Sequence, residues 1–381
     1  MKITTGLIPL AVLAGFWVAL AGAAPAGHPI PVGAIFARTG EAAESDIQSL
    51  QGIQIALSEI NAAGGIDGRP FALTVFDNRS TPIGAKIAAD EAVNDGVVAV
   101  LGPAWSSHCL SAAPVLQRHR IPMITNIATH PDITRIGDCI FRVCFTDDYQ
   151  GRILARFARE ELGADRAVIL VDLVSHYSMT LGRIFGETFS AHGGTLTGTF
   201  SYKGADRDFE PMLRAARQTG PDLIFLPGHQ ESGRIIRQAA RMGIALPVLG
   251  GDGWNGEPFN RNGGIRLARG YFTTHWAPEV DYPASRDFLR RCPLSVHTLD
   301  AGLMLAYDAT TLLADAIRRA GSPEPEAIRS ALAKTRNFPG VTGPITMNRW
   351  GDPVKQAVLM GIEAGRTTYL KTLPPPAEGP P

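Results

Sequence analysis

The sequence predicts an α/β protein of two Rossmann-like lobes, each built on a parallel-type central sheet and joined by a hinge of interlobe crossovers. Three observations predict it. Between residues 30 and 249, short apolar runs alternate with segments whose apolar residues recur at i, i+3/i+4 and i+7, the pattern of parallel strands connected by helices. The alternation occurs twice: residues 97–101 followed by Gly102-Pro103 have a counterpart in residues 223–226 followed by Pro227-Gly228, each leading into a helix start. The length, 381 residues, exceeds what one core of typical size occupies.

The elements follow in order. Residues 30–36 are an apolar run that opens the first sheet. Residues 49–63 set Leu50, Ile53, Leu57 and Ile60 on one helical face, and Gly64-Gly65 ends the helix, as glycines do where the chain turns with positive φ. Strand 71–76, helix 82–94, buried strand 97–101, helix 106–118 and strand 121–125 continue the pattern, with a further strand at 140–143. The second series reads strand 166–171, helix 178–192, strand 195–201, helix 208–218, strand 223–226, helix 231–242 and strand 246–249. Beyond it come a strand near 270–274, a helix near 284–291 and a long helix over 300–320 that Gly321-Ser322-Pro323 ends. A helix at 323–333 and strands near 341–347 and 354–362 follow, and the Pro-rich stretch 374–381 is expected to be disordered. The lobes divide as residues 27–146 with 275–338, and residues 147–274 with 339–373.

Composition excludes several classes. The 36 Lys+Arg balance 36 Asp+Glu and no basic run occurs, so the surplus with which nucleic-acid binders neutralise phosphates is missing. Residues 1–26 read as an export signal: Lys2 supplies the positive end, residues 7–20 the apolar stretch, and Ala21-Gly22-Ala23 and Ala24-Pro25-Ala26 both fit small-x-small cleavage. That run is short of the roughly 20 residues that span a bilayer, and no later segment substitutes for it. A cleaved, soluble, periplasmic product is expected, without a lipid anchor because no cysteine lies near the cleavage region. In an oxidising compartment Cys109, Cys139, Cys144 and Cys292 are free to pair in three ways, and spacing does not choose among pairing and buried thiols. The C-x-x-C spacing that zinc sites favour is absent.

The motifs of common enzyme classes are missing too: no G-x-x-x-x-G-K-[ST], H-E-x-x-H or G-x-S-x-G, and the loop after the first strand reads Ala37-Arg38-Thr39-Gly40-Glu41 rather than a dinucleotide fingerprint. The expectation is a binding protein with no cofactor, no metal and no catalytic residues. Ser106 and Ser107 start a helix directly after a strand and a Gly-Pro turn. They either cap the helix or hold a ligand carboxylate at its positive end. Ala128-Thr129-His130-Pro131 and Gly250-Gly251-Asp252-Gly253-Trp254 follow other strands at the same sheet edges. The second is either a plain turn or the seat of a buried carboxylate that pairs a ligand ammonium.

Gly52-Ile53 with Ile55-Ala56, the run Glu59-Ile60-Asn61-Ala62-Ala63-Gly64-Gly65-Ile66-Asp67-Gly68, Asp77, Gly102, Ala128-Thr129-His130-Pro131, Phe141-Arg142, Ala306-Tyr307-Asp308-Ala309 and Gly343-Pro344-Ile345 together resemble the branched-chain amino-acid (Leu/Ile/Val) substrate-binding family of ABC transporters, type I periplasmic binding proteins. The resemblance implies that Ser106 binds a ligand carboxylate and that Thr129 contacts both the carboxylate and the ammonium. It further implies that Ala128 offers a backbone carbonyl, that Asp252 partners the ammonium, and that Tyr177 closes over the ligand from the second lobe. Three features depart from the family pattern. The segment 37–46 is charged, with Arg38, Glu41, Glu44 and Asp46, and lacks an aromatic; Trp105 precedes the serine, with His108 beyond it; and His229 stands where an aromatic is common. They point toward an aromatic, polar or amide ligand rather than leucine. The function expected is capture of an amino acid or related small carboxylate by a monomer, with delivery to a membrane permease. The alternative is a sensory module that presents its ligand to a signalling receptor.

Overall fold

The computed structural model describes residues 27–374 apart from Asn255. The export-signal segment and the Pro-rich residues 375–381 lie outside the described residues. The first sheet is assembled from β1 (Ile30–Phe36), α1 (Ala43–Ala62), β2 (Phe71–Asp77), α2 (Pro82–Asn94), β3 (Ala99–Leu101), α3 (Ser106–Arg118), β4 (Met123–Thr125), the single turn α4 (Asp132–Arg135) and β5 (Ile140–Arg142). Its strands run in the order β2-β1-β3-β4-β5, parallel throughout.

Helix α5 (Asp147–Glu160) begins the second lobe, followed by β6 (Arg166–Asp172), α6 (His176–Ala191), β7 (Thr195–Tyr202), α7 (Glu210–Gln218), β8 (Leu223–Phe225), α8 (Ser232–Arg241), β9 (Val248–Gly250), α9 (Glu257–Asn262) and β10 (Arg269–Thr274). Then come α10 (Pro283–Arg291), α11 (Ala301–Ala320), α12 (Pro325–Ala333), a small ribbon of β11 (Phe338–Gly340) and β12 (Gly343–Ile345), and finally β13 (Ala357–Glu363) and β14 (Arg366–Leu373). The second sheet is ordered β14-β13-β10-β9-β8-β6-β7, parallel from β10 to β7 and antiparallel where β13 meets β10 and β14. In each lobe the strand order reverses beside the first strand of the series, β1 or β6. The loops leaving the carboxyl ends there are where open α/β sheets hold ligands.

The run at residues 59–68 has a structural explanation. Asn61 Oδ1 accepts the Phe71 N–H at 2.8 Å and its Nδ2 donates to the Phe71 carbonyl at 3.1 Å, which clips the turn onto the start of β2. Gly65 sits at φ +75°, and a Cβ there would lie 2.2 Å from the Arg69 carbonyl oxygen, so only glycine fits. At Gly52 a Cβ would lie 2.1 Å from the Leu303 carbonyl oxygen. That glycine lets α1 and α11 meet backbone to backbone.

The chain crosses between sheets three times: from β5 to α5, from β10 toward α11, and from β12 to β13. Buried polar groups pin these crossings. Arg142 donates to Asp352 at 2.7 Å, to the Ala128 carbonyl at 2.8 Å and to the His130 carbonyl at 2.8 Å. Lys355 Nζ donates to the Val143 carbonyl at 3.1 Å, while Asp308 accepts the Thr342 N–H at 3.0 Å.

Three details differ from expectation. Helix α1 begins at Ala43, so Glu44 and Asp46 belong to its first turn rather than to a loop; acids are favoured at that positive helix end. Helix α5 is an element the apolar pattern does not disclose, because its first turns bury Asp147, Tyr149, Gln150 and Gly151. Strand β14 is likewise unannounced, being a Thr-rich edge strand that pairs only with β13. All four cysteines are free thiols, Cys109, Cys139 and Cys144 buried and Cys292 partly so. Among the described residues no helix is long and apolar enough to cross a membrane and no cluster of ligands for a metal ion occurs.

Candidate functional site

The loops after β3, β4, β8 and β9 and the first turns of α1, α3, α6 and α11 enclose one cavity between the two sheets. It holds about 70 Å³ of free space, enough for a small molecule or several waters. Trp105, Ser106 and Thr129 line it from the first lobe, and Tyr177, His229 and Asp252 from the second.

Trp105 occupies the cap position of α3 in an extended conformation, and Ser106 is the first helical residue. The Ser106 hydroxyl does not cap its own helix; it accepts the His130 N–H at 3.3 Å. The amides that open α3 have no acceptor within the helix, so the cavity faces a positive helix end. Thr129 is buried, and its carbonyl accepts the Asp147 N–H at 2.9 Å. Facing it, Tyr177 in the first turn of α6 has its hydroxyl oxygen 3.1 Å from the donating Gly253 N–H.

Asp252 opens the short helical turn that follows β9 and is buried. Its Oδ1 accepts Gln150 Nε2 at 2.8 Å, its Oδ2 lies 3.0 Å from His275 Nε2, and its own N–H donates to Gln150 Oε1 at 3.2 Å. Gln150 also donates to Asp147 Oδ1 at 2.7 Å and accepts from Thr273 Oγ1 at 2.8 Å. Burial holds the His275 imidazole below its ordinary value, against the pull of Asp252, so it is a neutral donor to that carboxylate. Burial, reinforced by the Asp252 charge, pushes the Asp147 carboxyl up to about 8. Gln150 and His275 carry no sequence signal of their own. They are a glutamine inside an unrecognised helix and one of nine scattered histidines, yet they orient the acid.

Trp105 stacks on His229 across the cleft at 4.5 Å and on His108 at 5.5 Å, while Tyr177 tilts against His229 at 4.8 Å. Burial lowers the affinity of both imidazoles for protons, His108 to about 4. The aromatic wall is therefore uncharged.

Ser107 and Ala128 stand elsewhere. The Ser107 hydroxyl accepts the His176 N–H at 3.2 Å and lies 3.2 Å from His176 Nδ1, joining the lobes at the rim instead of lining the cavity. The Ala128 carbonyl points into the lobe, where it accepts Arg142 at 2.8 Å and the Cys144 thiol at 3.3 Å. Thr180 Oγ1 lies 2.9 Å from His130 Nε2 and Gln230 donates to the Glu41 carbonyl at 2.8 Å across the cleft, and the ion pairs Arg261–Glu44 and Arg234–Glu41 also join the lobes. Asp46, Gln230 and Asp300 also line the cavity. Asp46 is legible in the sequence only as one charge of segment 37–46.

Comparison with known proteins agrees with this architecture. The family model described as periplasmic binding protein matches residues 29–366. The chain is 30% identical to the Leu/Ile/Val-binding protein BraC3 of Rhizobium johnstonii over 90% of its own length and 94% of that protein's. It is 26% identical to the leucine-, isoleucine-, valine-, threonine- and alanine-binding protein of Pseudomonas aeruginosa, over 82% of this chain and 84% of that one. Among solved structures, the leucine-binding protein LivK of Thermotoga maritima superposes with a TM-score of 0.86 at 31% identity, covering 91% of this chain and 99% of that one. LivJ of Streptococcus pneumoniae, the branched-chain amino-acid transporter substrate-binding protein solved with isoleucine, gives 0.83 at 30% identity, with 90% and 99% covered. These relatives are substrate-binding proteins, and this chain is a binding protein rather than an enzyme. With the match spanning both lobes in colinear order, the chain belongs to the periplasmic binding protein family, in the type I branch of the Leu/Ile/Val-binding proteins.

Proposed function

We propose that the protein is exported to the periplasm, captures an α-amino acid by closure of its lobes (residues 27–146 with 275–338, and 147–274 with 339–373) and delivers it to an ABC transporter permease. One observation carries the reading: a serine on a helix N-terminus and a buried, oriented carboxylate, contributed by opposite lobes, converge on one enclosed cavity. Ser106, Thr129 and the opening amides of α3 receive the ligand carboxylate, and Asp252 receives its ammonium. Tyr177, His229 and Trp105 cover the ligand, and Ser107 serves closure from the rim. The relatives named for branched-chain amino acids support an amino-acid ligand and a transporter partner, and no observation favours the sensory alternative.

Closure is driven by contacts that exist only in the closed form, since equal affinity for both forms shifts nothing. A micromolar ligand, about −8 kcal/mol, is held firmly enough for capture and loosely enough for release. Native mass spectrometry of freshly purified protein, followed by titration calorimetry with the compound it carries, tests the proposal. An amino acid is expected; a ligand without a primary amine refutes the role given to Asp252.

A further inference from the structure

Besides Ser106, Thr129 and Asp252, three lining residues bring hydrogen-bond acceptors to the cavity. Asp46 lines the cavity and is 1% exposed; its Oδ2 accepts the Ala37 N–H at 2.6 Å, while its Oδ1 is buried with no protein partner. Gln230, which lines the same cavity, donates its Nε2 to the Glu41 carbonyl, and its Oε1 is buried and unpartnered. Asp300 caps α11 through Oδ1, which accepts the Leu303 N–H at 2.9 Å, and brings a further carboxylate to the cavity lining. Among the described lining residues there is no lysine or arginine. A branched aliphatic side chain would desolvate these acceptors and satisfy none, the expensive arrangement for buried polar atoms. A neutral amide would supply donors and leave the carboxylates without a counter-charge.

We propose that these acceptors receive a hydrogen-bond-donating cation, so that the ligand is a dibasic α-amino acid. Its side-chain ammonium or guanidinium is held by Asp46 with Gln230 and Asp300. The inference rests on the amino-acid reading above and names the ligand class within it. Burial pushes the Asp46 carboxyl up to about 7 and the Asp300 carboxyl up to about 6, and an incoming cation favours the ionised form of both.

The test is titration calorimetry on the mature chain, freed of co-purified ligand. The probes are L-2,4-diaminobutyrate, L-ornithine, L-lysine, L-arginine, L-leucine, L-glutamine and 4-hydroxybenzoate. At least one dibasic amino acid is expected to bind about tenfold or more tighter than leucine and glutamine. Asp46→Asn keeps an acceptor for the Ala37 N–H and is expected to remove about tenfold or more of that preference. Gln230→Met, which loses the free acceptor at similar length, should reduce it in the same direction. Leucine or glutamine binding tighter than every dibasic probe, or an unchanged dibasic-to-leucine ratio in both variants, overturns the inference while leaving amino-acid capture intact. Binding of 4-hydroxybenzoate with no amino acid bound overturns the amino-acid reading itself.

Discussion

Replacing Asp252 by Asn isolates the charge from the shape of the site. Asp252 is buried, and both of its oxygens already have a neutral protein donor nearby, Gln150 Nε2 at 2.8 Å and His275 Nε2 at 3.0 Å. Asparagine can keep its Oδ1 toward Gln150 and turn its Nδ2 toward His275. The imidazole adapts by changing tautomer, because its Nδ1 has no hydrogen-bond partner to lose. The fold is therefore expected to survive, and the ligand ammonium loses a buried counter-charge. Truncating one side of such a pair costs about 2–5 kcal/mol. The retained carbonyl places Asp252→Asn near the lower end, about 2–3 kcal/mol, which is roughly 30- to 150-fold in Kd. Asp252→Ala, which also strips Gln150 and His275 of an acceptor, should lose more and melt earlier. Calorimetry with the protein's own amino-acid ligand measures the first effect and a thermal melt without ligand separates the second. An Asn variant that folds normally and binds with unchanged affinity would refute the pairing.

Other expectations concern closure, the crossings and pH. Ser107→Ala removes a hydrogen bond between the lobes, so affinity should weaken by about 1 kcal/mol, or roughly fivefold, if opening the cleft breaks it. Small-angle scattering at limiting ligand should show more of the extended form. Arg142→Met leaves the Asp352 carboxylate without its buried counter-charge and takes a donor from two loop carbonyls, a loss of about 3–5 kcal/mol by chemical denaturation; Arg142→Lys should not restore it, since one ammonium cannot span the fork of acceptors. The Asp147 carboxyl is held at about 8, above its ordinary value, so the folded form binds more protons and stability falls as pH rises from about 4 through 8. Asp147→Asn should flatten that decline and stabilise the protein at pH 8 by on the order of 1–3 kcal/mol, read from denaturant midpoints at a series of pH values.

The fold was largely legible because its periodicities are strong. The strand at Ile30–Phe36 and the helices Pro82–Asn94 and Ser106–Arg118 lie where the apolar spacing puts them. Helix α5 was hidden because the first turns of its inner face bury Asp147 and Gln150, which join Asp252 in one hydrogen-bond network. Among the candidate ligand residues, Ser106, Thr129, Tyr177, Asp252, Trp105 and His229 could be named from local motifs and resemblance, and all six reach the cavity. Ser107 and Ala128 do not, since adjacent residues on a helix or loop point in different directions and a motif names both. Asp46, Gln230 and Asp300 escaped because what brings them together is the meeting of α1, the loop before α8 and the start of α11. Their separation along the chain leaves no local pattern. His275 and Gln150 act only through the acid they orient, which no motif encodes.

The flat stack of Trp105 on His229 at 4.5 Å joins a fluorophore in one lobe to a side chain in the other. Any rotation that opens the cleft must separate the two rings, because no single element carries both. The indole's emission thus reports an interlobe distance as well as the ligand it covers. Against the background of the chain's four other tryptophans, Trp105 gives the molecule an optical gauge of how far the jaws have shut.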